Sequence, residues 1–129
     1  MSKLNMQKSS SQSLPSLSIR IDLDSERSIG PGKILLLENI LSCGSISAAG
    51  RAMNMSYRRA WVLVDEINRI CRRDAVERKA GGKKGGGATL TPLGLSLVAR
   101  YRKIERSAEV AAREELRALQ TEIGIRGKA

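Results

Sequence analysis

The chain has 129 residues, of which 41% are hydrophobic, and a formal net charge of +10 at pH 7. This length suits one compact domain with an extension or tails, and it excludes a second large domain. Histidine is absent, which excludes a Ser-His-Asp triad, a Cys-His dyad and a histidine metal site within a single chain. We therefore expect no enzyme, no metal and no cofactor, and the excess of Lys and Arg favours a polyanionic partner or an acidic membrane surface.

Residues 1–16 are rich in serine and lack the continuous apolar stretch of a signal peptide, so we expect a flexible N-terminal tail. No window of the sequence approaches the ~18 apolar residues of a membrane span. We expect a cytoplasmic protein without a membrane partner. Cys43 and Cys71 lack zinc-type spacing and fall in apolar helical patterns, which predicts buried structural thiols.

The first elements are predicted from hydrophobic periodicity. Residues 17–23, LSIRIDL, alternate apolar and polar side chains, as a half-buried strand does. Residues 32–43 have a helical pattern that ends at Gly44. The apolar residues on one face of this helix are Ile34, Leu37, Ile40 and Leu41.

A helix pair and a hairpin are predicted next. Residues 45–53 read as a short helix, and a longer helix runs from about Tyr57 to Arg72 with Ser56 as its cap. Its inward stripe consists of Ala60, Leu63, Val64, Ile67, Ile70 and Cys71. Residues 75–79 and 88–91 read as strands on either side of a glycine-rich tip. A helix-turn-helix followed by such a hairpin is a winged helix, which is mainly α with a small β wing.

Residues 92–121 contain no further proline after Pro92 and predict one long helix capped by Thr91. At 1.5 Å per residue it would reach about 45 Å, too long to bury its whole apolar stripe against a small domain. We expect it to pair with a second copy of the chain, and the alternative is packing within the domain. The predicted dimer interface comprises Leu97, Tyr101, Ile104, Ala108, Ala111, Leu116 and Leu119.

The positive charge is concentrated in residues 51–84, which hold 10 basic and 4 acidic side chains. Such a patch within one structural unit favours nucleic-acid binding. At the start of the longer helix, Ser56, Tyr57, Arg58 and Arg59 suit readout of the major groove. The alternative for the arginines is a solvated helix face, and an enzyme or a nucleotide-binding loop is the weaker interpretation.

The remaining predicted DNA-binding residues have two interpretations each. Lys83 and Lys84, at the glycine-rich tip, suit a phosphate or minor-groove contact, or they are incidental charges on a flexible turn. Ser45 and Ser47 either present hydroxyl groups to phosphate or only cap a helix. The ring of Trp61 either packs at the border of the core or contacts DNA.

Two stretches carry a resemblance: GSISAAGRAMNMSYRRAWVLVDEIN and VERKAGGKKGGGATLTPLG. In their order of motifs they resemble the N-terminal DNA-binding domain of the ModE-type molybdate-responsive transcription regulators, over about residues 17–120. More distantly they are similar to the winged helix of LysR-type regulators. The resemblance implies dimerisation through the long last helix and, in a separate C-terminal pair of small β-barrels, molybdate binding. Since the sequence ends at Ala129, we expect molybdate control to come from a separate sensing partner or to be absent.

Together these observations predict a tail (1–16), a winged helix-turn-helix domain (17–91), a long dimerisation helix (92–122) and a C-terminal tail (123–129). The expected function is that of a homodimeric, sequence-specific regulator that binds double-stranded DNA. Two other classes stay open: a protein-interaction module, and a nonspecific chromosome-associated protein. The dependence of binding on salt and the competition by unrelated DNA distinguish these classes.

Overall fold

The computed structural model describes residues 15–82 and 85–125. Within these residues the chain forms four helices and two small antiparallel sheets, so the predicted fold, mainly α with a small β wing, is confirmed. The chain divides into two compact units. One is Ile19–Lys103, and the other combines residues up to Ser18 with the chain from Ile104 onward.

The first unit begins with two very short strands, β1 (Ile21–Asp22) and β2 (Ser28–Ile29), which pair antiparallel. The strand predicted over residues 17–23 is therefore wrong in its extent. Only two residues find a partner strand, because the chain turns at once: Leu23 donates its backbone N–H to the carbonyl of Arg27 at 2.7 Å. Leu23, expected to be half-buried, is 57% exposed as a result.

Helix α1 (Pro31–Cys43) begins with a proline in its first turn and ends at Gly44, which has a left-handed φ of 83°. The helix forms the centre of the core through Ile34, Leu36, Leu37 and Ile40. Leu41, which the sequence pattern placed on the same face, is instead exposed. Cys43 is also exposed, so its prediction as a buried thiol is wrong: it lies in the last turn of α1, outside the core cluster.

Helices α2 (Ile46–Ala52) and α3 (Tyr57–Cys71) form the helix-turn-helix. Both have a serine cap: the hydroxyl oxygen of Ser45 accepts from the N–H of Ala48, and that of Ser56 from the N–H of Arg59, each at 3.0 Å. The turn between the helices includes Asn54 at a positive φ of 59°, a conformation that asparagine tolerates. These caps match the sequence prediction.

The wing consists of β3 (Val76–Gly82) and β4 (Gly85–Leu90), which pair antiparallel. Two hydrogen-bonded contacts connect it to the helices. The side-chain oxygen of Asn68, on α3, accepts from the N–H groups of Ala75 and Val76 at 2.8 and 3.3 Å. The N–H of Ala88 donates to the carbonyl of Gly44 at 2.9 Å. The base of the wing is therefore bonded to the ends of both α1 and α3.

Helix α4 (Pro92–Ile123) starts directly after the wing. The hydroxyl of Thr91 accepts from the N–H of Gly94 at 3.1 Å and donates to the carbonyl of Asp74 at 2.8 Å, so the predicted cap is present. Further along, Tyr101 is 2% exposed and its hydroxyl donates to the carbonyl of Ile19 at 2.7 Å. Its assignment to a dimer interface is wrong, because its ring fills the core of its own chain.

In the second unit, the N–H of Leu17 donates to the carboxylate of Glu109 at 3.2 Å. Beside this contact, a cavity of about 340 Å³ is lined by Pro15, Glu109, Arg113, Leu116 and Arg117. The apolar side chains of Ile104, Val110, Leu119 and Ile123 are exposed on this part of α4.

Candidate nucleic-acid interface

The first turn of α3 is the part of the helix-turn-helix that is most open to a ligand. Ser56, Tyr57, Arg58 and Arg59 are all exposed, whereas Ala60, immediately after them, is completely buried. The boundary arises because Ala60 starts the inward stripe that packs α3 on α1 and α2. The structure thus brings together four of the residues predicted to bind DNA, at one helix end.

The electrostatics of this helix end favour an anion. Among the described residues no carboxylate forms an ion pair with Arg58 or Arg59. The N-terminus of a helix carries a partial positive charge and free N–H groups, and α3 has no acidic residue in its first turn to offset it. Both guanidinium groups therefore keep all their donors for an external acceptor.

Trp61 lies one turn further along α3 and packs at the border of the core. Its ring meets the ring of Tyr57 edge-on, with 6.0 Å between the centroids and 70° between the planes. On the wing side, the guanidinium carbon of Arg78 lies 4.8 Å from the Trp61 ring centroid. The buried Nε1–H of Trp61 has no hydrogen-bond partner among the described residues.

Sequence reasoning missed Arg78. The available signal was the alternation along the first wing strand, because Val76 and Arg78 occupy the same face of β3. That alternation places Arg78 on the same face of the strand as the buried Val76, although Arg78 itself is exposed. It does not identify Trp61 as its partner, because the two residues are 17 positions apart and belong to different elements.

The other predicted residues have different surroundings. Ser45 is half-buried and occupied as the cap of α2, and Ser47 is half-buried within the same helix. Lys83 and Lys84 lie outside the described residues. The strands that lead to them, β3 and β4, extend further into the glycine-rich tip than the sequence predicted.

In the described part of the chain, no helix is long and apolar enough to cross a membrane. In the same residues, no three acidic or cysteine side chains lie close enough together to hold a metal ion.

The chain is similar to several bacterial proteins. It is 38% identical over 93 residues to the transcriptional regulator ModE of Haemophilus influenzae, an alignment that covers 72% of this chain and 36% of that protein. It is 42% identical over 71 residues to the DNA-binding transcriptional dual regulator ModE of Escherichia coli, an alignment that covers 55% of this chain and 27% of that protein. It is 44% identical over 77 residues to the molybdenum-pterin-binding protein MopB of Rhodobacter capsulatus, an alignment that covers 60% of this chain and 28% of that protein.

The chain therefore spans about a third of the length of these curated relatives, or less. No protein-family model matches it. The identities are nevertheless consistent among the relatives, and they confirm the resemblance carried by the two sequence stretches. Over the segment that it shares with them, the chain is similar to the ModE-type transcriptional regulators.

Proposed function

We propose that the chain is a sequence-specific transcriptional regulator that binds double-stranded DNA as a homodimer in the bacterial cytoplasm. The observation that carries this proposal is the first turn of α3, where Tyr57, Arg58 and Arg59 are exposed and no carboxylate of the described chain pairs with the arginines. Arginine can hold the O6 and N7 atoms of guanine together in the major groove. The names of the relatives, which include a DNA-binding transcriptional dual regulator, support the same function.

Within this proposal the residues divide by role. Arg58 and Arg59 contact base edges, and Ser56 orients them by capping α3. Lys83 and Lys84 contact the DNA backbone from the wing tip, and Ser45 and Ser47 lie at the start of α2, where backbone N–H groups suit a phosphate. This is the role of a binding protein, without catalysis.

The test is a selection of duplexes from a randomised DNA pool by the purified protein, followed by affinity measurements on the selected sequence. Arg58→Ala or Arg59→Ala should cost about 1–3 kcal/mol on that sequence and relax its preference at one position. Arg20→Ala is the matched control, because it removes an exposed arginine that is already paired with Asp22. Equal affinity of both α3 variants and the parent would contradict the assignment of α3.

The same experiment separates the other two classes. A protein-interaction module would enrich no duplex and would show no steep salt dependence, whereas DNA binding weakens with a log-log slope of about −0.9 per phosphate contact. A nonspecific chromosome-associated protein would bind with that slope, but random DNA would compete as well as any selected sequence.

The homodimer rests on the C-terminal part of α4. Ile104, Ala111 and Leu119 are exposed there, and Ala108 and Leu116 are half-buried. Two such helices would bury the apolar side chains against each other. Leu97 packs against the core of its own chain, so the proposed interface starts after it. Sedimentation of the protein at micromolar concentration tests this: a species of twice the chain mass is expected, and monomer alone would contradict the proposal.

We also propose that the regulated genes concern molybdenum, since one relative is named as a molybdenum transport protein and another as a molybdenum-pterin-binding protein. In this proposal a separate partner senses molybdate. Adding molybdate to the protein alone should then change its DNA affinity no more than the same concentration of sulfate does. A molybdate-specific change in affinity would show that this chain senses the anion itself.

A further inference from the structure

Three side chains form a continuous row from the first turn of α3 to the wing. The row consists of Tyr57, which is 62% exposed, Trp61, which is half-buried, and Arg78 on β3. The centroids of the two rings are 6.0 Å apart, and the guanidinium carbon lies 4.8 Å from the centre of the Trp61 ring. The row is therefore the direct side-chain link between the exposed end of α3 and the hairpin.

The strand register explains why Arg78 points toward α3. Val76 pairs with Leu90, and Arg78 pairs with Ala88, two positions further along the hairpin. Val76, Ala88 and Leu90 are all buried. Because side chains two apart on a strand lie on one face, Arg78 continues the core-facing side of the wing, whereas Glu77 and Lys79 lie on the opposite face. Arg78 itself is exposed, so its guanidinium lies against the Trp61 ring at the edge of the core.

The partner of Arg78 is an aromatic ring where a carboxylate would be usual. No carboxylate in the described part of the chain forms an ion pair with it. A ring face attracts the guanidinium through its quadrupole and leaves the positive charge and the N–H donors at its edges free. A bidentate carboxylate would occupy those same donors. The contact with Trp61 thus fixes the position of the cation and preserves its capacity to bind an anion.

We infer that Arg78 contacts a DNA phosphate and that Trp61 is the positioning residue that holds the Arg78 guanidinium for it. This inference rests on the proposed DNA-binding function. In it, the indole packs at the border of the core and acts on DNA only through the arginine. One phosphate contact is made from the base of the wing, independently of the lysines at its tip.

The experiment measures the affinity for a labelled random-sequence DNA duplex over a series of salt concentrations. The variants are Arg78→Gln, Trp61→Leu, Trp61→Phe and the double variant Trp61→Leu with Arg78→Gln. Lys79→Gln is the matched control, because it removes the same charge from the opposite face of the same strand. Cooperative thermal unfolding confirms that each variant is folded.

Arg78→Gln should weaken binding and reduce the log-log salt slope by about one unit, as expected for one lost phosphate contact. Trp61→Leu, which leaves the net charge unchanged, should reduce the slope by as much, and the double variant should show no further reduction. Trp61→Phe should restore most of the slope, since it keeps an aromatic face. Lys79→Gln should change the slope less than Arg78→Gln.

If Trp61 had only a structural role, Trp61→Leu would lower the unfolding temperature and leave the salt slope of the folded protein unchanged. This result would overturn the inference. So would an unchanged slope in Arg78→Gln, or equal effects of Arg78→Gln and Lys79→Gln. If Trp61→Leu does not fold, Arg78→Gln still tests the phosphate contact, and a salt slope in Trp61→Phe as low as in Arg78→Gln would overturn the role of the aromatic face. Absence of binding by the parent protein would instead overturn the proposed function, so the two failures are distinguishable.

Discussion

Gly94, in the first turn of α4, lies so close to Ala75 that a Cβ atom on Gly94 would be 2.2 Å from the Ala75 carbonyl oxygen. The same oxygen accepts a hydrogen bond from the N–H of Thr91 at 3.0 Å. The start of α4 therefore packs backbone against backbone on the residue that precedes β3. Only glycine permits this approach.

Gly94→Ala should lower the free energy of unfolding by about 2 kcal/mol, because a methyl group cannot fit without moving the backbone. Chemical denaturation measures the change. The matched control is Gly32→Ala in α1, where an added Cβ meets nothing within 4 Å. That variant should be neutral or more stable by about 0.5 kcal/mol. Equal stability of the two variants would contradict the close approach at Gly94.

Tyr101→Phe removes the hydroxyl that donates to Ile19 and keeps the buried ring. We expect a loss of about 1 kcal/mol in the free energy of unfolding, since the carbonyl of Ile19 loses its partner. The sedimentation behaviour should not change, because Tyr101 is a core residue of its own chain. If this substitution produced a monomer, Tyr101 would have to be assigned to the dimer interface. Tyr57→Phe, at an exposed ring, should change stability by less than about 0.5 kcal/mol.

Leu119→Glu should convert the proposed dimer to monomer, because a charge at an apolar helix interface is left without a partner. Sedimentation at micromolar concentration measures the outcome. Val110→Glu is the control, since Val110 is 61% exposed and Leu119 53%, but Val110 lies on a different face of α4 by helical spacing. If both variants remain dimeric, the interface lies elsewhere.

Cys43 should react with iodoacetamide faster than Cys71. Cys43 is exposed, whereas burial raises the pKa of the Cys71 thiol, an effect that the nearby charge of Arg73 partly opposes. The thiolate is the reactive form, so modification of Cys71 should begin at a higher pH. Mass spectrometry of Cys43→Ser and Cys71→Ser separates the two rates, and faster labelling of Cys71 would contradict the prediction.

The same shift links Cys71 to stability. Because the pKa of the Cys71 thiol is raised in the folded state, the contribution of the protonated thiol to the free energy of unfolding is fully present below the pKa of the unfolded thiol. It is lost as the pH rises through the higher folded-state value. Alkaline unfolding of Cys71→Ser should therefore show a weaker pH dependence in this window than the parent protein.

The sequence predicted the helices and their caps well, because a cap depends on residues only a few positions apart. Ser56 and Thr91 are examples. The predictions failed where the structure of a segment depends on a partner that is far away in the sequence. The alternation in residues 17–23 predicted a strand, yet only Ile21 and Asp22 pair with another strand. The spacing in α4 could not distinguish burial within one chain from burial between two, which is why Tyr101 was misassigned.

The candidate interface shows the same difference between local and distant signals. The exposure of Arg58 and Arg59 at the start of α3 could be predicted from their place behind a cap, which is a local signal. The contact between Trp61 and Arg78 could not, because it depends on the register of β3 and on how the wing packs on α3. Such contacts come from tertiary packing and have no periodic pattern in the sequence.

The two hydrogen bonds that Asn68 accepts at the end of α3 have a consequence for protein engineering. They fix the direction in which the hairpin leaves the helix, and they do so at its base, far along the chain from the glycine-rich tip. We expect that a tip of different length or charge can be grafted between Lys79 and Gly87 while these two hydrogen bonds are kept. The tip of the hairpin is in this sense exchangeable, and Asn68, which holds the base of the hairpin against α3, is the residue that such a graft must keep.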